Sequence, residues 1–266
     1  MSDTVDYELD GPLAVITITR PKAMNALDTP TLVALRDTVT TAAKDPAVRA
    51  LLLTGAGDKA FCAGADLKHD ALRQAKDGSS IPAVFSSVCE YYNPLARALA
   101  GMRKPTVAAV NGAAAGAGAG LAFACDFRLV ADSAGFNTAF AGIALTADTG
   151  ASWTLPRLIG HAKATELLML PRTVKAAEAL ELGLATRVVP AAEMAQTARD
   201  FGRQLAEGPT LALGALKESL AFAASHSLSE TLDKEDELQT RALASQDHAI
   251  AVQAFLDKEQ PTYLGH

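Results

Sequence analysis

The sequence predicts an α/β fold with a mostly parallel sheet and a helical C-terminal region. Three observations carry this. Residues 48–54, 106–110 and 127–131 are mainly apolar runs of strand length, interrupted only by Arg49 and Arg128 among charged residues, the pattern of strands buried on both faces. Segments with helical spacing lie between them, around residues 84–102 and 116–124, and strands alternating with helices suggest parallel pairing. After about Pro190 the apolar spacing is helical almost throughout, as far as Pro261. The chain therefore divides into a core, residues 1–190, and a helical region, residues 191–266.

The elements follow in order. Residues 5–9 alternate, Asp10-Gly11 supplies a turn, and residues 14–19 are β-rich, which reads as a hairpin. Thr29-Pro30 reads as an N-cap with proline at the first helical position, and that helix runs to about Lys44, where Asp45-Pro46 stops it. A polar loop, residues 68–80, ends in Gly78-Ser79-Ser80. In the C-terminal region, breaks fall at Gly208-Pro209 and near residues 225–229.

Composition narrows the function. With 49% hydrophobic and 20% charged residues, the 266-residue chain is long and apolar enough to bury a sizeable core. A net charge of -6 argues against nucleic acid as partner, though not against an anionic ligand met by a few local cations. Cys62, Cys89 and Cys125 have no metal-ligand spacing and suit a reducing cytoplasm. No apolar run reaches membrane-span length, and residues 1–10 carry acids and no signal-peptide core.

Three stretches could carry chemistry. Phe61-Cys62-Ala63-Gly64-Ala65-Asp66-Leu67-Lys68 follows an apolar strand, and its small residues let a ligand approach backbone amides. It also suits an ordinary strand-to-helix turn. Residues 111–120 begin Asn111-Gly112, follow another strand and open a helix. Their glycines do not fit G-x-G-x-x-G, because position 121 is Leu, and no P-loop lysine is present. Such a helix start suits an oxyanion-binding amide, and equally tight packing. The third is residues 145–157, where Asp148 is the one acid between Asp132 and Glu166. Taken alone, Asp148 reads as a helix N-cap. Tyr91, Tyr92, His69, His161 and Arg157 show no partner spacing that marks a site, and no metal cluster is visible.

Together these stretches resemble the crotonase (enoyl-CoA hydratase/isomerase) superfamily. The resemblance spans nearly the whole chain: Val15-Ile16-Thr17-Ile18-Thr19-Arg20-Pro21 with Met24-Asn25-Ala26-Leu27, then Ala63-Gly64-Ala65-Asp66-Leu67, Lys104-Pro105-Thr106-Val107-Ala108-Ala109-Val110-Asn111-Gly112, Ala124-Cys125-Asp126, Ala176-Ala177-Glu178-Ala179 with Leu182-Gly183-Leu184, and Phe255-Leu256-Asp257-Lys258. It implies a spiral of ββα turns with a helical trimerisation tail, giving a homotrimer or a dimer of trimers. It implies an acyl-CoA thioester as substrate, with coenzyme A as part of that substrate and no separate cofactor. It assigns the oxyanion hole to the N–H groups of Ala65 and Ala117, lines the CoA channel with Ala63 to Lys68, and has Phe255 and Lys258 reach CoA, often from a neighbouring subunit.

Two departures matter. Family hydratases place two glutamates across the substrate double bond; here those positions fall on Gly120 and Phe140. The stretch from Ala139 to Arg157, with Asp148 eight residues after Phe140, looks most like the ring-epoxide (2-(1,2-epoxy-1,2-dihydrophenyl)acetyl-CoA) isomerases. The resemblance thus implies a catalytic Asp148 that moves a proton within a thioester enolate, with Phe140 and the small-residue wall excluding water. The alternatives are a hydratase working through Asp148 and water, a hydrolase or dehalogenase with Asp148 as nucleophile, and a catalytically silent CoA-ester-binding subunit.

Overall fold

The computed structural model describes residues 3–68 and 88–266. The expected polar loop, His69 and the first residues of the helix expected from residue 84 lie outside the described residues. Two sheets form the core. The larger has the strand order β1 (Val5–Asp10), β2 (Leu13–Ile18), β3 (Ala50–Gly55), β5 (Thr106–Val110), β7 (Phe127–Ala131) and β10 (Arg187–Val189). The smaller has the order β4 (Ala60–Cys62), β6 (Ala113–Ala115), β8 (Gly135–Asn137) and β9 (Val174–Lys175). From β2 to β10 the large sheet is parallel; only β1 runs antiparallel, as the outer strand of the expected hairpin.

The architecture is a ββα spiral. A long strand of the large sheet leads to a short strand of the small one, then to a helix: β5, β6 and the helix Ala117–Ala124 make one such turn, β7 and β8 begin the next. The helices bounding it are α1 (Thr29–Lys44), α2 (Asn93–Gly101), α3 (Ala117–Ala124), α4 (Ala151–Ile159), α5 (His161–Met169) and α6 (Ala176–Glu181). Strand β5 is buried at every residue, and only Thr54 of β3 and Phe127 of β7 are less than fully buried. That is why their sequences read as mainly apolar runs, with the buried Arg128 of β7 the charged exception. The strands of the small sheet have two or three residues and are too short to show a period.

Four helices complete the chain: α7 (Met194–Ala206), α8 (Thr210–Ala223), α9 (Leu228–Leu243) and α10 (Gln246–Asp257). Helix α7 packs on β2, β3, β5 and β7, so it covers a face of the large sheet although it lies beyond residue 190. Gly202 sits so close to Leu13 that an added Cβ would lie 2.9 Å from its methyl groups. Breaks occur at Gly208-Pro209 and residues 224–227, with a further one at residues 244–245.

One local expectation is corrected. The cap of α1 is Asp28, not Thr29: its carboxylate accepts the Thr31 N–H at 3.0 Å and the Thr31 hydroxyl at 2.6 Å. Asp28 also pairs with Arg20 at 3.0 Å, an interaction with no local sequence signal.

Asn25 holds the first turn of the spiral together. It is fully buried, donates to the carbonyls of Ala56 (3.0 Å) and Ala60 (2.7 Å), and accepts the Arg20 N–H at 3.0 Å. Its backbone is left-handed at φ 54°, a region that Asn tolerates far better than most residues. Asn25→Ala removes three hydrogen bonds, one buried and two part-buried, and leaves the strain. It is expected to lower the unfolding free energy by about 3 kcal/mol. Urea unfolding measures this, and a loss below about 1 kcal/mol contradicts the assignment.

Candidate active site

The site starts from a stitched loop. After β4 the chain turns at Gly64, with φ 87°. Ala63 N–H donates to the Met24 carbonyl (3.1 Å), Leu27 N–H to the Gly64 carbonyl (2.7 Å), and Asp66 N–H to the Leu27 carbonyl (3.0 Å). These bonds fix residues 63–66 against residues 24–27, and Ala65 forms a parallel bridge with Leu27. The Ala65 N–H has no acceptor among the described residues, and Ala65 is exposed.

A second amide lies beside it. Helix α3 begins at Ala117 behind Gly116 (φ 51°), whose N–H is anchored on the Asn137 carbonyl at 2.9 Å. The first amide to bond within the helix is that of Gly120, to the Gly116 carbonyl at 3.1 Å. The Ala117 N–H therefore belongs to the unpaired first turn, at the positive end of the helix dipole. The two loops touch. A Cβ built on Gly64 would lie 2.8 Å from the Ala115 carbonyl oxygen and 3.4 Å from the Ala117 nitrogen.

Phe140 is 6% exposed and packs beside Gly116, its ring edge 3.9 Å from where a side chain there would begin. Left-handed residues stand on either side of it, Ala139 (φ 59°) and Ala144 (φ 58°).

Asp148 is half-buried just before α4. Its backbone carbonyl accepts the Ala151 N–H at 2.9 Å, but its carboxylate caps nothing: the N-cap of α4 is Gly150, with no side-chain bond. This corrects the N-cap reading of Asp148 taken alone. The carboxylate instead accepts the Thr149 hydroxyl at 3.2 Å. Burial pushes its ionisation above the ordinary carboxylate range, and the Thr149 bond offsets part of that. Gly120 lies against Thr149: a Cβ on Gly120 would fall 1.8 Å from Thr149 Oγ1 and 2.8 Å from its Cβ. No side chain fits at position 120 while Thr149 stays in place.

The structure thus brings Ala63, Ala65, Ala117 and Phe140 to one set of adjoining loops, and ties Asp148 through Thr149 to the helix that starts at Ala117. The carboxylate of Asp66 is engaged by Arg20 at 2.8 Å, so its side chain holds the loop rather than standing open to a ligand. Leu67 (51% exposed) and Lys68 project at the loop's end. Phe255 (82% exposed) and Lys258 stand at the end of α10 and make no hydrogen bond or ion pair with these loops. Sequence reasoning missed Arg20 and Thr149 as parts of the site; neither lies in a pattern with chemical meaning of its own. Tyr92 is buried, and Tyr91 lies under the Arg36 guanidinium at 5.7 Å, both packing roles. The thiols of Cys62 and Cys125 are buried and pushed up to about 12, which keeps them neutral. Among the described residues no group of His, Cys, Asp or Glu could hold a metal ion, and no helix is long and apolar enough to cross a membrane.

The ββα spiral is the fold that the sequence resemblance implied, and comparison with known proteins agrees on fold and family. Residues 8–266 match the family model described as enoyl-CoA hydratase/isomerase. The chain belongs to the enoyl-CoA hydratase/isomerase family. It is 39% identical over 265 residues to the 1,2-epoxyphenylacetyl-CoA isomerase of Escherichia coli (strain K12), covering 100% of each chain. It is 35% identical to the crotonyl-CoA hydratase of Syntrophomonas wolfei, covering 98% of each. Among solved structures, an enoyl-CoA hydratase/isomerase from Mycobacterium abscessus is 40% identical with a TM-score of 0.93, over 98% of this chain and 100% of that one. Both isomerases and hydratases therefore stand among this family member's relatives.

The raised Asp148 ionisation has a consequence for stability. A carboxyl that ionises higher in the folded than in the unfolded chain contributes fully at low pH. That contribution is lost as pH rises through the folded value. Asp148→Asn keeps the acceptor for Thr149 and removes the buried charge. Its melting temperature is expected to exceed that of the wild type near neutral pH, with the gap closing below the ordinary carboxylate range. A gap of opposite sign near neutrality contradicts this.

Proposed function

We propose that this family member is an acyl-CoA isomerase. It holds a thioester oxygen on the amides of Ala65 and Ala117 and moves a proton within the enolate with one carboxylate, Asp148. The observation that carries the reading is the disposition of carboxylates. Hydration needs a base for water and an acid for the α carbon. At the two positions where family hydratases resemble each other in carrying glutamate, this chain has Gly120, which has no room for a side chain, and the buried Phe140. Asp148 remains, half-buried and free of capping duty.

The proposed sequence is simple. The thioester carbonyl accepts hydrogen bonds from the two main-chain amides. The Asp148 carboxylate takes a proton from carbon, and the electron pair moves into the carbon–oxygen system as the enolate. The same carboxyl returns the proton to another carbon. A fixed amide of this kind is worth about 3–4 kcal/mol of transition-state stabilisation. Phe140 keeps water from the enolate. A 39% identical relative that is a 1,2-epoxyphenylacetyl-CoA isomerase supports a ring-type acyl group. The hydratase among the relatives supports the rival reading, in which Asp148 activates water.

The CoA moiety is proposed to lie along residues 63–68, with Phe255 and Lys258 supplied by a neighbouring subunit. A trimer, or a pair of trimers, is proposed on the exposed apolar side chains of the tail: Leu216 is 61% and Leu220 is 75% exposed. With Trp153 and Phe127 they line an apolar groove of about 800 Å³, and contiguous exposed apolar surface of this kind marks interaction sites. Light scattering at micromolar concentration is expected to return the trimer mass or twice it. A monomer removes the role of Phe255 and Lys258 across subunits.

Two kinetic outcomes test the reaction. Asp148→Asn should lower conversion of β,γ-hexenoyl-CoA to its α,β isomer by about 10²–10⁴-fold, with binding of the ester retained. Ala117→Val, which crowds an oxyanion donor, should lower it more than about tenfold. Full activity in Asp148→Asn, or brisk hydration of crotonyl-CoA by the wild type, overturns the isomerase reading.

A further inference from the structure

Thr149 is an unsuitable residue for the turn it occupies. It is 1% exposed and left-handed at φ 49°, a region that a β-branched side chain avoids because its Cβ substituents crowd the backbone. It leads into Gly150, also left-handed at φ 76°, and the two turn the chain into α4. Asn or Gly would make that turn without strain. Residues persist in such conformations only where their surroundings over-determine them.

Two contacts do so here. The Thr149 hydroxyl donates to Asp148 Oδ1 at 3.2 Å. Its side chain also fills the hollow left by the missing side chain of Gly120, one turn along α3 from the oxyanion amide of Ala117. Helix α3 is buried along its whole length and packs against α4. The Asp148–Thr149 pair is therefore keyed to the element that carries the amide.

We propose that Thr149 is a positioning residue: lodged in the Gly120 hollow, it fixes the Asp148 carboxylate relative to the Ala117 amide. The inference rests on Asp148 as the acid–base group of the proposed isomerase. Among the described residues, burial and Thr149 are the influences that reach the Asp148 carboxyl. Of the cations on the packed elements, Arg157 of α4 stacks on Trp153 at 4.0 Å and Arg97 of α2 lines the same cavity as Thr149; neither is among the influences on the Asp148 carboxyl. A shift in Asp148 titration thus reports on the Thr149 bond.

The test uses the full-length chain with carbon-labelled aspartate, reading the Asp148 carboxyl by NMR, assigned by its absence in Asp148→Asn. Thr149→Val keeps the shape and removes the donor; its Asp148 is expected to titrate at higher pH than the wild type. Thr149→Ser restores the donor and should return the wild-type titration. Conversion of β,γ-hexenoyl-CoA follows the same order. Thr149→Val should lose about tenfold to a hundredfold in kcat, the scale of a small misplacement, with KM little changed, and Thr149→Ser should recover most of it. Gly120→Ala, which pushes on Thr149, should cost much more in the wild type than in a Thr149→Gly background, a non-additivity expected of touching residues. An unchanged Asp148 titration in Thr149→Val overturns the inference even where Asp148→Asn is inactive. An active Asp148→Asn overturns the isomerase reading instead, while the titration still decides the Thr149–Asp148 bond.

Discussion

An enolate oxygen needs donors that are in place before its charge develops, and in this chain the two candidate donors are main-chain amides. Their spacing is set by how closely two loops approach, not by any side-chain rotamer. Much of the local structure follows from that constraint. Strands β4 and β6 pair in parallel, Ala60 with Ala113 and Cys62 with Ala114, so the loops leaving them start side by side. Gly64 has no Cβ because the Ala115 carbonyl occupies its place. The outer flank is tied back by Arg20, which bridges Asp28 and Asp66 and also donates to the Ala26 carbonyl. Asn111 performs the same service between turns of the spiral, donating to the carbonyls of Gly55 (2.8 Å) and Gly57 (2.7 Å).

Backbone strain is distributed accordingly. Among the described residues the left-handed positions other than glycine are Met24, Asn25, Ala139, Ala144, Thr149 and Lys258. The first two belong to the segment that stitches the Ala65 loop, the next two flank Phe140, and Thr149 adjoins Asp148. The long buried strands of the large sheet carry none. Strain of about 1–3 kcal/mol per residue persists only where the surroundings hold it. Here the spiral core supplies that restraint, and the loops at its edge use it.

The large sheet was legible because its strands are buried on both faces: residues 106–110 and 127–131 are strands with those bounds. Helix α3 was legible from residue 116 onward because small apolar residues follow a glycine-rich entry. The small sheet was not, since two or three residues carry no period. Nor did apolar spacing reveal that α7 covers the sheet, because α7 shows the same amphipathic pattern against a sheet as against a helix. In the candidate site, Ala65, Ala117 and Asp148 were assigned through ordered resemblance rather than residue type; an alanine amide has no side-chain signature. Thr149 was invisible because its meaning depends on Gly120, distant in sequence and adjacent in space. The bland reading of Asp148 as a cap was reasonable from sequence, and it fell to one fact of geometry: Gly150 ends up at the cap position.

The same geometry bears on how one carboxyl could serve both halves of the proposed proton shift. To take a proton from carbon it must be ionised when substrate arrives, and to return the proton it must be a competent acid a moment later. Both demands are best met when its ionisation lies closer to the working pH than that of a free aspartate. Burial moves Asp148 in that direction, and the hydroxyl bond from Thr149 offsets part of the movement. A cationic partner would stabilise the carboxylate and leave a weak base; a wholly apolar pocket would leave the acid un-ionised. A half-buried carboxylate whose donor, among the described residues, is a neutral hydroxyl lies between these extremes. That setting suits a group that must lend back what it removes. It suits hydration less well, because a second acid–base group would have to stand where Gly120 meets Thr149 or where Phe140 packs beside Gly116, and both places are already filled.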